Sequence, residues 1–414
     1  MPPVVGKESG LLTPQQTWLS ILAQLPAPPV VDLPLADGLG HVLREPIHAD
    51  RDLPPVDRSA MDGFALRAED LVAAPVTLSV LGEIAAGSAA APSIQEGACV
   101  RIYTGANLPP GTNTVVKLED TRAAGPGRVT FERPERKGAN LWRAGENARR
   151  GDQLVPAGTV LGALHIGLGA AVGSTRVRVA RKPRVALLTT GRELQPPEAP
   201  VGSHQERDAN GPLLAAALSE GGFALVSADR VTDDPEAIVG RLRVALATAD
   251  AVVTSGGVSV GAYDFMPAAT EGVGARTIAH GVAMKPGKPF LFAMAPGDQP
   301  IFALPGNPLS AVICFHEFVL PALRRMAGFP EETCQPLVRA RLQVNITGEL
   351  GPERRLPGRL AWTAASPVVA PVPYHSSADL AASARADGSI VVPSGVREIV
   401  ASTLVDFRPW RRLP

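Results

Sequence analysis

Ala251-Val252-Val253-Thr254-Ser255 is an apolar, β-branched run that feeds directly into Gly256-Gly257-Val258-Ser259-Val260-Gly261, with Tyr263 and Asp264 just beyond. A buried strand that ends in glycines suits anion binding in an open α/β sheet. Ligands sit beyond the carboxyl ends of the strands, where glycine lets backbone N–H groups approach. Upstream, Arg184 to Thr190 reads as a second buried strand, Pro212 to Glu220 as a helix closed by Gly221-Gly222, and Ala224 to Asp229 as a strand. Asp234-Pro235 caps a helix running to about Thr248. This alternation predicts a doubly wound α/β domain with parallel strands over residues 181–328.

Working outward, the pattern changes on both sides. Residues 13 to 25 place Thr13 before Pro14 and apolar side chains at Trp18, Ile21, Leu22 and Leu25, the spacing of a capped amphipathic helix. From about 50 to 140, short runs such as Val76 to Val80, Cys99 to Tyr103, Thr114 to Leu118 and Arg128 to Phe131 are separated by Gly, Pro and Asn turns. Gln153 to Thr175 then reads as a strand, a turn and a small-residue helix. The expected organisation is multidomain α/β plus β: an outer helical and turn domain in two segments (13–49 and 141–180), an inserted small β domain (50–140), the α/β domain, and a C-terminal β-barrel-like domain (329–414).

At 414 residues, with 40 Lys plus Arg against 40 Asp plus Glu, the chain holds several domains and has no excess charge to grip a nucleic-acid backbone. Aromatic residues make up 4%, too few for base-stacking platforms, so no nucleic-acid partner is expected. No membrane association is expected either, because the longest uncharged run, Gln153 to Thr175, contains Pro156, His165 and five glycines. Cys99, Cys314 and Cys334 are odd in number and far apart, and MPPVVGKESG carries no export pattern, which together predict a reducing, cytoplasmic setting. The seven histidines never fall at metal-ligand spacing.

The residues that carry chemistry lie in loops. The glycine loop is no Walker A, since Ala262-Tyr263 stand in place of Lys-Ser/Thr; it reads as a phosphate cradle or as a tight turn. Gly257 to Gly261 also fits a G-x-S-x-G nucleophile elbow, a serine hydrolase using Ser259 with Asp298 and His316 or His375 following in order. Against that reading, Pro267 arrives within two turns, where such an elbow feeds a long helix. Met284-Lys285-Pro286-Gly287-Lys288-Pro289 holds two ammonium groups close together on a proline-stiffened segment, which is costly unless an anion shares the space; an exposed loop is the alternative. Leu304-Pro305-Gly306-Asn307-Pro308 opens a helix, Leu309 to Met326, with Asn307 as N-cap, and reads as plain capping or as a second anion site. Ser59-Ala60-Met61-Asp62-Gly63-Phe64-Ala65 sets Asp62 beside a glycine, either to hold a metal or water or to make an Asp-Gly turn.

Taken in order, SAMDGFA (59–65), RIYTGANLPPG (101–111), GEN-x-RR-GD (145–152), LLTTGREL (187–194), DDPEAI (233–238), TSGGVSVGAYD (254–264), MKPGKP (284–289) and LPGNPLSA (304–311) closely resemble the molybdopterin molybdenumtransferase (MoeA-type) family, to which the C-terminal part of gephyrin also belongs. The resemblance spans roughly residues 13 to 395. It implies a four-domain homodimer whose α/β domain binds adenylyl-molybdopterin against the β domain of a second copy, inserts molybdate and releases AMP. A molybdopterin adenylyltransferase and molybdoenzyme maturation proteins are the further partners it suggests.

Position by position, the resemblance implies catalytic roles for Asp62, Glu193, Asp233 and Asp264; the chemistry of cleaving a phosphoanhydride adds Mg²⁺ as cofactor, held by Asp62 and Asp264. The resemblance matches Thr104, Lys285, Pro305 and Pro308 to the family's motif positions and makes Ser377 the oxyanion-binding serine, while the residues' own chemistry adds Gly256, Gly257, Ser259, Gly261, Lys288 and Asn307 as substrate contacts. Three departures stand out: Arg192 where Asp usually precedes Glu193, Gly281 where a basic residue is usual, and a scrambled arginine segment from Glu353 to Arg359. That segment leaves Arg354, Arg355 and Arg359 all open as the molybdate contact. An adenylyltransferase-like paralogue and a non-catalytic scaffold of the same fold are the competing readings. The β domain with its MDG motif and the C-terminal domain argue against the first.

Overall fold

The computed structural model describes residues 10–88, 92–258 and 265–411. It divides into two compact units. Residues 33–39 and 45–177 form one, and the described residues of 1–32, 40–44 and 178–414 form the other.

The larger unit is built on a six-stranded sheet of β1 (Arg184–Thr190), β2 (Ala224–Val231), β3 (Ala251–Ser255), β4 (Arg276–His280), β5 (Leu291–Met294) and β6 (Pro300–Leu304), in the order β2-β1-β3-β6-β5-β4. The first four in that order are parallel, but β5 runs antiparallel to both neighbours, which corrects the all-parallel expectation. Only Ala295 to Gln299 separate β5 from β6, enough for a hairpin and too few for a crossover. Alternate residues feed two cores. Val185, Leu187, Val253 and Phe302 pack on one face with Leu214, Leu218 and Ile313, while Ala186, Leu188, Val252 and Ile301 pack on the other with Ile238, Leu242 and Met266. Helices therefore cover both faces, as double winding requires.

The helix Pro14–Leu22 is closed by a Thr13/Gln16 capping box and buries Trp18 and Ile21 in the first of these cores. It thus packs with the α/β domain rather than with an outer domain. The helix expected over Leu309 to Met326 runs as Pro308–Cys314, a π turn Phe315–Val319 and Leu320–Met326. Pro321 has no N–H to return to the preceding turn, and the wider π turn is where the ladder adjusts.

Beside a short two-stranded pair, Ile346–Thr347 with Glu398–Ile399, five longer strands follow: β7 (Val338–Leu342), β8 (Glu353–Trp362), β9 (Pro367–Pro371), β10 (Gly388–Val392) and β11 (Leu404–Pro409). They pair as β8-β9-β7-β11-β10 and close back onto β8, which makes a barrel around Val369, Ile390 and Phe407. The short segment Met284–Lys285 adds to β8 in parallel, setting Lys285 opposite Arg354.

In the smaller unit, six strands between Gly63 and Phe131 form one sheet with Phe64, Leu78, Cys99 and Phe131 packed on one face and Ala65, Val100, Ile102 and Val115 on the other. The three cysteines are free and buried. Among the described residues no helix is long and apolar enough to cross a membrane.

Candidate active site

A crevice of about 530 Å³ opens at the carboxyl ends of β1, β3 and β6, lined by Thr189 to Gly191, Ser255 to Val258 and Pro305 to Pro308. Glu193 and Asp233, in the loops after β1 and β2, face the same space. The Asp233 carboxylate accepts the Arg192 backbone N–H at 3.2 Å. Gly256 has φ +101°, and a Cβ there would lie 2.3 Å from the Thr190 carbonyl oxygen, so only glycine lets this turn fold back on β1. Ser259, Gly261 and Asp264 lie outside the described residues.

Two further residues on this crevice, Asp208 and Asn210, were not singled out from the sequence. Asp208 accepts the Thr189 hydroxyl (2.7 Å) and the Gly211 N–H (2.8 Å). Asn210 donates to Ser255 Oγ (2.9 Å) and to the Gly306 carbonyl (2.7 Å), so it ties the ends of β3 and β6 together. The available signal was Asp208-Ala209-Asn210-Gly211-Pro212, polar turn residues immediately before an apolar helix.

Lys285 and Lys288 do not line this crevice. They line a neighbouring cavity of about 920 Å³, which shares Pro289, Pro305 and Asn307 with the first and adds Ser310, Arg354, His375 and Ser377. Three cationic side chains converge there, and no Asp or Glu is among the lining residues. Uncompensated positive charge in a concave site draws an anion. Ser377 contacts the helix start twice: its Oγ accepts from Asn307 Nδ2 at 2.8 Å, and its carbonyl accepts the Leu309 N–H at 3.0 Å. This corrects the capping expectation. The Asn307 side chain makes no cap bond, and one of the helix-terminal N–H groups is already taken by protein. The Ser377 hydroxyl proton is left to donate to a ligand.

The three candidate arginines separate cleanly. Arg354 lines the cationic cavity and donates to the Thr347 and Val396 carbonyls (3.4 and 3.2 Å). Arg355 is 3% exposed and bound to Glu317, whereas Arg359 faces solvent. Gly281 sits at φ +84° with Leu11 Cδ2 2.7 Å from where a Cβ would be, so a side chain there would be strained.

In the smaller unit, Asp62 Oδ1 accepts both the N–H and the hydroxyl of Thr104 (2.8 and 2.7 Å). These two bonds, the backbone one foremost, hold the carboxyl below its usual range although it is exposed. Gly63 makes no Asp-Gly turn. It begins a strand, and a Cβ would lie 2.0 Å from the Val116 carbonyl oxygen. Among the described residues no group of three or more His, Cys, Asp and Glu could hold a metal ion. A single ionised carboxylate such as Asp62 still suits Mg²⁺, which keeps most of its waters and is held chiefly through substrate phosphates.

The hydrolase arrangement fails on geometry. Asp298 is in the β5–β6 hairpin, at the opposite end of the sheet from the crevice, beside Arg181 and Asp250. His316 is 6% exposed and stacked on Trp410, and burial pushes its pKa down to about 3.

Family models match in three consecutive stretches: the MoeA N-terminal region (domain I and II) over residues 12–173, a probable molybdopterin binding domain over 186–325, and the MoeA C-terminal region (domain IV) over 339–410. A molybdopterin molybdenumtransferase of Staphylococcus epidermidis is 32% identical over 381 residues, 91% of this chain and 90% of the relative. One from Nostoc sp. is 38% identical over 305 residues, covering 72% and 69%. A crystal structure of the molybdopterin biosynthesis MoeA protein from Pyrococcus horikosii superposes with a TM-score of 0.82 at 29% identity, over 97% of this chain and 100% of that one.

Proposed function

The chain belongs to the MoeA family of molybdopterin molybdenumtransferases and is an enzyme of molybdenum cofactor biosynthesis that inserts molybdate; we propose that it acts on adenylyl-molybdopterin with release of AMP, its two adjoining cavities each receiving one substrate. The observation that carries this division is the pairing of a glycine-turn crevice with a neighbouring cavity that holds three cations and no carboxylate.

The phosphoanhydride lies at the Gly256-Gly257 turn, whose backbone approaches an anion more closely than a side chain would allow. Glu193, Asp208 and Asp233 offer acceptors to the donor edges of the pterin or the base. Molybdate, a tetrahedral dianion, sits in the second cavity against Lys285, Lys288 and Arg354 and receives the Ser377 hydroxyl proton as a hydrogen bond. Asn307, common to both cavities, orients Ser377 and keeps the two substrates apart while in reach of each other. Mg²⁺ held by Asp62 and Asp264 on the pyrophosphate would neutralise charge as AMP leaves. Asp62 then acts from a second copy of the chain, in a homodimer. Three free, buried cysteines support a reducing compartment, the cytoplasm.

The test is direct. Purified protein incubated with adenylyl-molybdopterin, Mg²⁺ and molybdate is expected to release AMP in a molybdate-dependent, saturable way. AMP release indifferent to molybdate would remove the proposed division of the cavities.

A further inference from the structure

The cationic cavity is walled by two elements from different parts of the fold. One is the start of the helix Pro308–Cys314, which brings Asn307 and Ser310; the other is β8, which brings Arg354 and Leu356. Side chains alternate along a strand, so Arg355, between those two, points the other way. There it meets Glu317, 2% exposed, on the π turn that continues the same helix. Arg355 donates through Nε to Glu317 Oε1 (2.8 Å) and through Nη2 to Oε2 (3.3 Å), and Arg408 of β11 donates through Nε to Oε1 (2.7 Å). Arg355 also pairs with Glu353. No member of this cluster lines the cavity.

We infer that Glu317 is a positioning residue for molybdate: by clamping β8 to the π turn it fixes the spacing of the Arg354 and Asn307 walls, a role that rests on reading this cavity as the oxyanion site. Stability alone gives little reason for the cluster, because well-packed apolar residues often replace a buried ion pair at no loss. A forked guanidinium on a fixed carboxylate adds register. Arg355 is one peptide bond from Arg354, and Arg354 is paired in the sheet with Lys285, so a slip of β8 would displace two of the three cavity cations together. The π turn supplies the aim, since its extra residue rotates the following side chains relative to a plain α-helix.

Two variants of the cluster separate positioning from plain support. Glu317→Gln keeps the shape and removes the charge; Arg408→Met removes the arginine of β11, separated from β8 by β10, and leaves the Arg355 fork in place. Both should lower the melting temperature. Only Glu317→Gln should raise the half-saturating molybdate concentration for AMP release, by about tenfold, with the maximal rate and the affinity for adenylyl-molybdopterin within about twofold of wild type. Should Glu317→Gln fail to fold, Arg355→Lys, which keeps the charge but not the fork, should show the same split. A folded Glu317→Gln or Arg355→Lys protein with wild-type molybdate dependence overturns the positioning role. An equal rise in Arg408→Met also overturns it, since that would be general loosening. If the wild-type response does not saturate with molybdate, the reading of the cavity fails instead, and the positioning role falls with it.

Discussion

Asp62 shows how an exposed carboxylate is kept ionised without burial. Both Thr104 donors converge on Oδ1, and Oδ2 takes no part in either bond. Because the folded pKa is depressed, the ionised form persists to lower pH than in a free side chain, and an acid limb of the rate profile set by Asp62 should lie below the ordinary carboxylate range. Thr104→Val removes one donor. It should move that limb upward while leaving AMP release at neutral pH largely intact, whereas Asp62→Asn should lower release about a hundredfold. A pH–rate profile of Thr104→Val that overlays wild type would detach Asp62 from the reaction. Arg354 carries the matching prediction in the second cavity. Arg354→Ala should raise the half-saturating molybdate concentration by about 10- to 100-fold, the loss of one charged hydrogen bond at roughly 1.5–3 kcal/mol, and Arg359→Ala should not. The motifs made Asp62 and Thr104 legible as separate candidates, but their mutual bond spans 42 residues of sequence and needs the sheet. The choice among three arginines was not legible at all. Which side of β8 faces the cavity is set by barrel closure, and no local pattern around Glu353 to Arg359 encodes it.

At the level of elements, β1 and β3 could be read because each is an apolar run with glycine directly behind it, while β2, which alternates in exposure, was marked by the capped helix that follows it. The reversal of β5 could have been read from the five-residue connection, but apolar content alone gives no direction. The π turn left no trace in hydrophobic periodicity, and Pro321 was its only local mark. This turn also carries a pH-sensitive group. His316 is buried, and desolvation, then the nearby Arg324, push its pKa down to about 3. A depressed folded pKa means the unfolded chain binds the proton first. Stability is therefore complete above the unfolded value near 6.5 and is lost as pH falls towards about 3. Glu317 adds its own loss only below its unfolded pKa of 4.5, as pH falls towards about 2: burial favours its neutral form, but Arg355 and Arg408 outweigh that. The window from pH 6.5 to 4.5 isolates the histidine. Across it, wild type should lose about 2–3 kcal/mol that His316→Phe does not lose, read as the difference in urea midpoint between the two pH values. Parallel midpoints would mean that His316 takes up its proton in the folded state as readily as in the unfolded one.

For the whole molecule, Asp62 and Thr104 belong to one compact unit while both cavities belong to the other. If the reaction needs both sets, they meet either within one chain or between two, and a mixing experiment tells these apart. Light scattering of a homodimer should give twice the chain mass at micromolar concentration. Consider then Asp62→Asn and Arg354→Ala chains, co-expressed in equal amounts and assayed at limiting molybdate, where each is defective alone. With sites completed between copies, a mixed dimer pairs the intact Arg354 of one chain with the intact Asp62 of the other. Its second site carries both defects. Random pairing makes half of the dimers mixed, so about a quarter of all sites, and about a quarter of wild-type AMP release, should return. With sites completed within one chain, every site keeps one defect whatever its partner, and mixing restores nothing. A recovered rate near a quarter therefore supports a shared site on functional grounds, while no recovery from a confirmed mixed dimer would return Asp62 to the same chain as the cavities it serves.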